Sequence, residues 1–180
     1  RMDKIEVLTE QDSRGVLQIS INRPQLRNAI SIKVAARLAD IFKQVFFDPQ
    51  IKLVVLRGVG DCFSAGGDLK KFHADLPHAP DNFDQVSQSL NEVIVCIKNM
   101  PQLVIAAIKG PAYAAAFGLV MACDLAVADS TAILSPSFSN IALAPNASSS
   151  YFLPRILGNK AALEAFVLAE TFNADQAKEL

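Results

Sequence analysis

The chain has 180 residues, 51% of them hydrophobic and 19% charged, with a formal net charge of −1 and a pI of about 6.1. That is enough apolar material for one sizeable core, and the scattered lysines and arginines leave no electrostatic footprint for nucleic acid or a membrane surface. Cys62, Cys96 and Cys123 stand far apart with no Cys-x-x-Cys pair, which argues against a disulfide framework and predicts reduced thiols in an intracellular protein.

The first residues are polar and of mixed charge, unlike a secretory leader. The alternation of Leu17, Ile19 and Ile21 with Gln18 and Ser20 predicts a strand ending at Asn22-Arg23-Pro24. Ser31 can cap a helix whose apolar face is Val34, Leu38, Ile41, Phe42 and Val45. The run LVVLRG, residues 53–58, reads as a buried strand closed by glycine. FSAGGDLKKF follows at 63–72, and its small residues strip side chains from the backbone just before a charged helix. Such a stretch is either a tight turn needing positive φ at Gly66 or Gly67, or a set of bare N–H groups facing a ligand. Residues 73–82, with two prolines, are the expected flexible segment. His73 and His78 lack a partner at metal-ligand spacing, so no metal site is expected.

A helix is predicted over 83–98, with Val86, Leu90, Val93, Ile94 and Ile97 on one side. A second buried strand spans 103–110, a small-residue helix 111–124 and a further strand 125–129. The apolar run 111–123 is too short to cross a bilayer. Two helices close the chain, at 148–157 and 160–169. Strands alternating with helices predict an α/β fold with parallel neighbours, in which ligands sit where strands end and helices begin. The bare turns before two helices offer candidate N–H donors at Gly67 and within Ala114–Ala116.

INRPQLRNA (21–29), FSAGGDLKKF (63–72), AAIKGPAYAAAFGLVMACDLAVAD (106–129) and LPRILG (153–158) resemble, in order and spacing, the motifs of the crotonase superfamily, the enoyl-CoA hydratase/isomerase group. The resemblance runs from about residue 5 to the end. LAPNASSSYFLPRILG is most similar to the Δ3,Δ2-enoyl-CoA isomerase branch. The family implies the crotonase spiral of ββα units, here as a single core domain over 1–180 that lacks most of the usual C-terminal trimerisation helices. It also implies an acyl-CoA partner, with CoA part of the substrate and no separate cofactor. A homotrimer or hexamer would follow where the C-terminal segment is present. The location would be cytoplasmic in a bacterium, and mitochondrial or peroxisomal in a eukaryote.

Carried over position by position, the resemblance makes the Gly67 and Ala115 N–H groups an oxyanion hole for the thioester oxygen. Gln25, Leu26 and Arg27 match the loop that packs on the CoA nucleotide, and Ala65 a backbone contact to adenine. Arg27 reads equally as a phosphate partner or a solvated surface arginine. Gly66 and Asp68 belong to the same substrate-binding stretch, with Asp68 also the cap of the following helix rather than a base. The sequence departs from the family at its acids. The two hydratase glutamates fall at Gly118 and Phe138, and the isomerase carboxylate falls at Asn146. None of these can act as a general base near neutral pH, and between Val93 and Leu163 the only acids are Asp124 and Asp129. Asp124 reads as structural. Tyr113, Ser148, Ser149 and His73 are conceivable helpers or ordinary turn and surface residues.

Three functions follow. The first is an enolate-stabilising acyl-CoA enzyme that shifts a double bond. The second is an acyl-CoA-binding member without the catalytic carboxylates. The third is a thioesterase or decarboxylase using the same oxyanion hole.

Overall fold

A computed structural model describes residues 5–179. Five strands form the main sheet in the order β1-β2-β3-β4-β6. They are β1 (Val7–Gln11), β2 (Val16–Ile21), β3 (Leu53–Gly58), β4 (Leu103–Ile108) and β6 (Leu125–Ala128). β1 pairs antiparallel with β2, and every other pair in the sheet is parallel. The expected parallel neighbours are therefore present, with one antiparallel edge strand added.

The long parallel strands are buried on one face only. Val54, Leu56, Val104, Ala106 and Ile108 are buried, while Val55, Arg57, Ile105 and Ala107 are half-exposed. The covered face carries α1 (Ile32–Phe46) and α3 (Ala79–Asn99), which pack on each other. Val34, Leu38, Phe42 and Val45 on α1, and Val86, Leu90, Val93 and Ile97 on α3, enter the core. Ser31 caps α1 as expected, its Oγ accepting from the Val34 N–H at 3.2 Å.

Two departures from the predicted elements bear on the site. Residues 73–82, expected to be flexible, form the end of α2 (Leu69–Ala74), a 3-10 turn (Leu76–His78) and the start of α3. Both prolines sit in first turns, where the missing N–H has no helical partner to lose. Residues 111–124 are not one helix. Pro111–Tyr113 is a short strand, β5, in a second sheet with β7 (Ile133–Ser135) and β8 (Phe172–Asn173). The helix, α4, covers Ala115–Ala122. It is apolar all round and buried between the sheets and α5 (Ser149–Leu157). α6 (Asn159–Leu168) and α7 (Ala174–Glu179) follow. No helix among the described residues is long and apolar enough to cross a membrane.

Candidate active site

The bare stretch after β3 is stitched to the turn before α4. The Ser64 N–H donates to Pro111 O at 3.0 Å, and the Tyr113 N–H donates to Ser64 O at 3.1 Å. Gly66 takes the positive φ of the turn, at +87°, and a Cβ there would lie 2.7 Å from Tyr113 O. Its N–H is taken up by Ser64 Oγ at 3.1 Å. Gly67 needs no positive φ, and its N–H donates to no protein acceptor among the described residues. Ala115 is the first residue of α4, so its N–H is one of the orphan donors of a helix start, and it too has no partner among the described residues. The tight-turn reading holds at Gly66, and the N–H of Gly67 is left bare.

Gly67 and Ala115 line the same cavity of about 270 Å³. Its apolar walls include Phe72, Phe83, Leu90 and Phe138. The Phe72 and Phe83 ring centroids are 4.5 Å apart. Among the described residues no Asp, Glu, Lys, Arg or His lines the cavity, and Tyr113 is its one ionisable residue. Two unpartnered N–H groups in a mainly apolar recess can hold a carbonyl oxygen and stabilise charge that develops on it. A larger apolar cavity, about 590 Å³, lies among Ile108, Phe117, Val120, Ala126 and Phe172 on the far side of α4, away from these donors.

The remaining predicted positions fall as follows. Gln25 and Leu26 form an exposed 3-10 turn, and Arg27 is its exposed left-handed end, with φ +49°. All three lie outside the cavity lining. Ala65 lines the cavity, but its N–H goes to Arg27 O at 2.9 Å, so only its carbonyl remains for a ligand. Asp68 is buried. It caps α2 through the Lys71 N–H at 3.3 Å, and its Oδ2 lies 2.9 Å from Arg23 Nη2, out of line for a hydrogen bond. Asp68 is not among the residues that line the cavity, and its carboxylate faces Arg23 and the helix start. Asp124 is structural, as expected. Its Oδ2 accepts from the Val104 N–H at 2.9 Å, and its Oδ1 lies 3.2 Å from Lys98 Nζ.

Phe138 is a buried wall of the cavity. Gly118 faces Ala147, where a Cβ at 118 would meet the Ala147 Cβ at 2.7 Å and its carbonyl oxygen closer still. Asn146 does line the cavity, and its Nδ2 donates to Ser87 Oγ at 2.7 Å. Its Oδ1 accepts from the Ala147 N–H. Ser149 Oγ is committed to Asn146 O at 2.7 Å, and His73 lies outside the lining. Burial pushes the Cys123 thiol up to about 12, which leaves no thiolate nucleophile there.

Two polar side chains near the cavity escape a linear reading. Ser87 reads as one more polar residue of α3. Arg23 is a buried cation that joins Asp68, Glu6 (Nε to Oε1, 3.1 Å) and Ala29 O (2.6 Å). The Asn-Arg-Pro sequence at a strand end gives no periodic signal that could mark it.

A model of the enoyl-CoA hydratase/isomerase family matches residues 11–180. A 4-chlorobenzoyl coenzyme A dehalogenase from Arthrobacter is 32% identical over 96% of this chain and 63% of its own. The 1,2-epoxyphenylacetyl-CoA isomerase of Escherichia coli K12 is 31% identical over 97% of this chain and 67% of its own. The crystal structure of an enoyl-CoA hydratase from Mycobacterium smegmatis superposes with a TM-score of 0.90 at 36% identity, over 98% of this chain and 68% of that one. The chain thus spans somewhat less than two thirds of the length of the first curated relatives it matches.

Proposed function

The chain belongs to the enoyl-CoA hydratase/isomerase family, and from that premise we propose that its cavity takes the acyl end of a CoA thioester, with the thioester oxygen held between the Gly67 and Ala115 N–H groups. When a proton leaves the carbon beside the carbonyl, negative charge gathers on that oxygen. Donors already fixed there stabilise the enolate, typically by about 3–4 kcal/mol each. The observation that carries this reading is the pair of unpartnered N–H groups in a mainly apolar cavity. Relatives named for dehalogenation, isomerisation and hydration share CoA thioesters rather than a single reaction, so the thioester is what this reading takes from them. CoA enters as part of the substrate.

The reaction proposed is a double-bond shift, on the likeness of the loop at 141–158 to the isomerase branch. Asn146 stands at the base position of that branch. A second reading, thioester binding without proton transfer, is favoured by a lining that holds no carboxylate. Both readings need the two N–H donors.

The test is calorimetry with acetoacetyl-CoA and with free CoA. The thioester is expected to bind at least about tenfold more tightly. Ala115→Pro deletes the donor and should erase the difference, with a urea midpoint to check that the strained Ala114 before it still holds the fold. Equal affinities in the parent protein would remove the oxyanion reading.

A further inference from the structure

Arg23 does not line the cavity, yet it stands behind one of the two donors. Its side chain is 5% exposed, and each guanidinium nitrogen faces an oxygen of its own. Nε lies 3.1 Å from Glu6 Oε1, Nη2 lies 2.9 Å from Asp68 Oδ2, and Nη1 donates to Ala29 O at 2.6 Å. A buried ion cluster is weak evidence for stability, since packed apolar side chains often serve as well. What it supplies is a charge held in one place.

The contact with Ala29 begins a chain. Ala29 C=O and Ile30 N–H belong to one peptide group, and Gly66 C=O and Gly67 N–H belong to another. The Ile30 N–H donates to Gly66 O at 2.7 Å. Both peptides are trans, so in each the N–H points opposite to the C=O. The guanidinium, the 29–30 peptide and the 66–67 peptide therefore run head to tail. The chain ends at the Gly67 N–H, which lines the cavity and has no protein acceptor among the described residues. The Asp68 N–H donates to Ile30 O at 3.0 Å and holds the other side of Gly67. Ala115 is backed differently. Ala114 O, in the same peptide as its N–H, accepts the Gly118 N–H at 3.1 Å, the ordinary bond of a helix start.

Hydrogen bonds in a chain polarise one another, by roughly 10–30% per bond, and a cation at the head polarises the chain in the same sense. We propose that Arg23 is a positioning residue for the thioester oxygen, which it reaches through this relay of two peptide groups. It aims the Gly67 N–H and strengthens it as a donor, so the two donors of the site are unequal and Gly67 is the stronger. The inference rests on the acyl-CoA reading above, and adds to that site a residue that never touches the substrate.

Infrared spectra of bound butyryl-CoA, isotope-labelled at the thioester carbonyl, read the polarisation directly, because a hydrogen-bonded carbonyl stretches at lower frequency. In the parent the bound stretch should lie below that of the thioester in water. Arg23→Met removes the head of the chain at similar side-chain length. The stretch should move back toward the free value, and the preference for butyryl-CoA over CoA should fall about threefold or more. Losing the cation also lowers stability whatever the relay does, so Val45→Ala, a core truncation at the far end of α1, is the control. It should lower the urea midpoint and leave the stretch in place. An Arg23→Met protein that binds butyryl-CoA with the parent stretch would overturn the relay. The parent protein supplies a second test, which stands even where Arg23→Met does not fold. Butyryl-CoA should shift the Gly67 amide proton downfield in NMR spectra and carry the Ile30 amide proton with it. A Gly67 proton that moves while Ile30 stays would also overturn the relay. If neither the Gly67 proton nor the carbonyl stretch moves on binding, the thioester reading itself falls, and the relay falls with it.

Discussion

Ala147 decides which acid could be restored to this cavity. Its methyl and carbonyl occupy the space that any side chain at Gly118 would enter. Ala147 is itself buried and holds a left-handed φ of +49°, with Ser148 left-handed beside it. Ala114, one residue before the Ala115 donor, sits at φ +50° and ψ −115°. A non-glycine residue there costs roughly 1–3 kcal/mol, which the surrounding turn must offset to keep the N–H aimed. A carboxylate placed at 118 and one placed at 146 would therefore differ in kind. Gly118→Glu should not regain crotonyl-CoA hydration and should lose more than about 3 kcal/mol of stability, from backbone overlap and a buried charge. Asn146→Asp keeps the shape of the amide, still accepts the Ala147 N–H and can accept from a rotated Ser87 hydroxyl. It should raise 3-enoyl-CoA isomerisation at least ~10²-fold, the lower end of what a placed base contributes. Urea midpoints and a spectrophotometric isomerase assay check both. A Gly118→Glu protein as stable as the parent would show that the loop yields, and the distinction would fail.

At the scale of elements, one asparagine holds together the segments that present the donors. Asn28 is fully buried at φ +53°. Its Oδ1 accepts the Arg23 N–H at 2.8 Å, and its Nδ2 donates to Val59 O at 3.0 Å and Cys62 O at 2.6 Å. It thereby ties the turn after β2 to the loop after β3, two residues before Ile30 pairs with Gly66 and Gly67. Asn28→Ala leaves two carbonyls and an N–H unpaired and loses a residue that tolerates left-handed φ. A loss of about 3 kcal/mol or more in urea unfolding is expected. Asn28→Asp should fare little better, since it cannot donate to either carbonyl. Parent-like stability in both would show that the loops are held elsewhere. None of this is periodic in the sequence, and so it was not legible there. The strands β2, β3 and β4 and the helices α1, α5 and α6 were legible, because burial of one face imposes spacing on them, and β6, exposed throughout, was legible only as a short apolar run. Pro111–Tyr113 was not, because a three-residue strand shows no period and its alanine-rich continuation favours a helix. Its extension comes from pairing with Ile133–Ser135, about twenty residues away. The bare backbone at Gly67 and Ala115 was legible from their small neighbours, but the meeting of Ser87 with Asn146 was not, because it exists only where the 143–148 loop crosses α3.

Across the whole molecule, the open face of the main sheet is the feature with the largest consequence. β6 is an edge strand, and its residues Leu125 to Ala128 are all exposed, Leu125 at 54% and Val127 at 63%. Leu103 on β4 continues the apolar surface, and Leu163, Val167 and Leu168 on α6 add a second patch, each more than 60% exposed. Edge strands are ordinarily guarded by charge, and β6 carries none of its own, with Asp124 and Asp129 at its ends and Arg57, Asp175 and Lys178 lining the cavities that Val127 also lines. Asp124 is committed to Val104 and Lys98, and Asp129 to Thr131. The Thr131 bonds hold the Asp129 carboxyl below the usual range, so it stays ionised well into mild acid and keeps repelling a second copy at that end only. An apolar strand with unpaired backbone and charges at its tips favours association through its middle. We predict that the 180-residue chain self-associates at tens of micromolar, with sedimentation showing species larger than the 19.4 kDa monomer. Val127→Lys places a charge at the centre of the edge, away from the thioester cavity, and should shift the population toward monomer without changing acyl-CoA affinity. A parent chain that stays monomeric at 100 μM, or a Val127→Lys variant that associates as strongly as the parent, would show that β6 is not the contact.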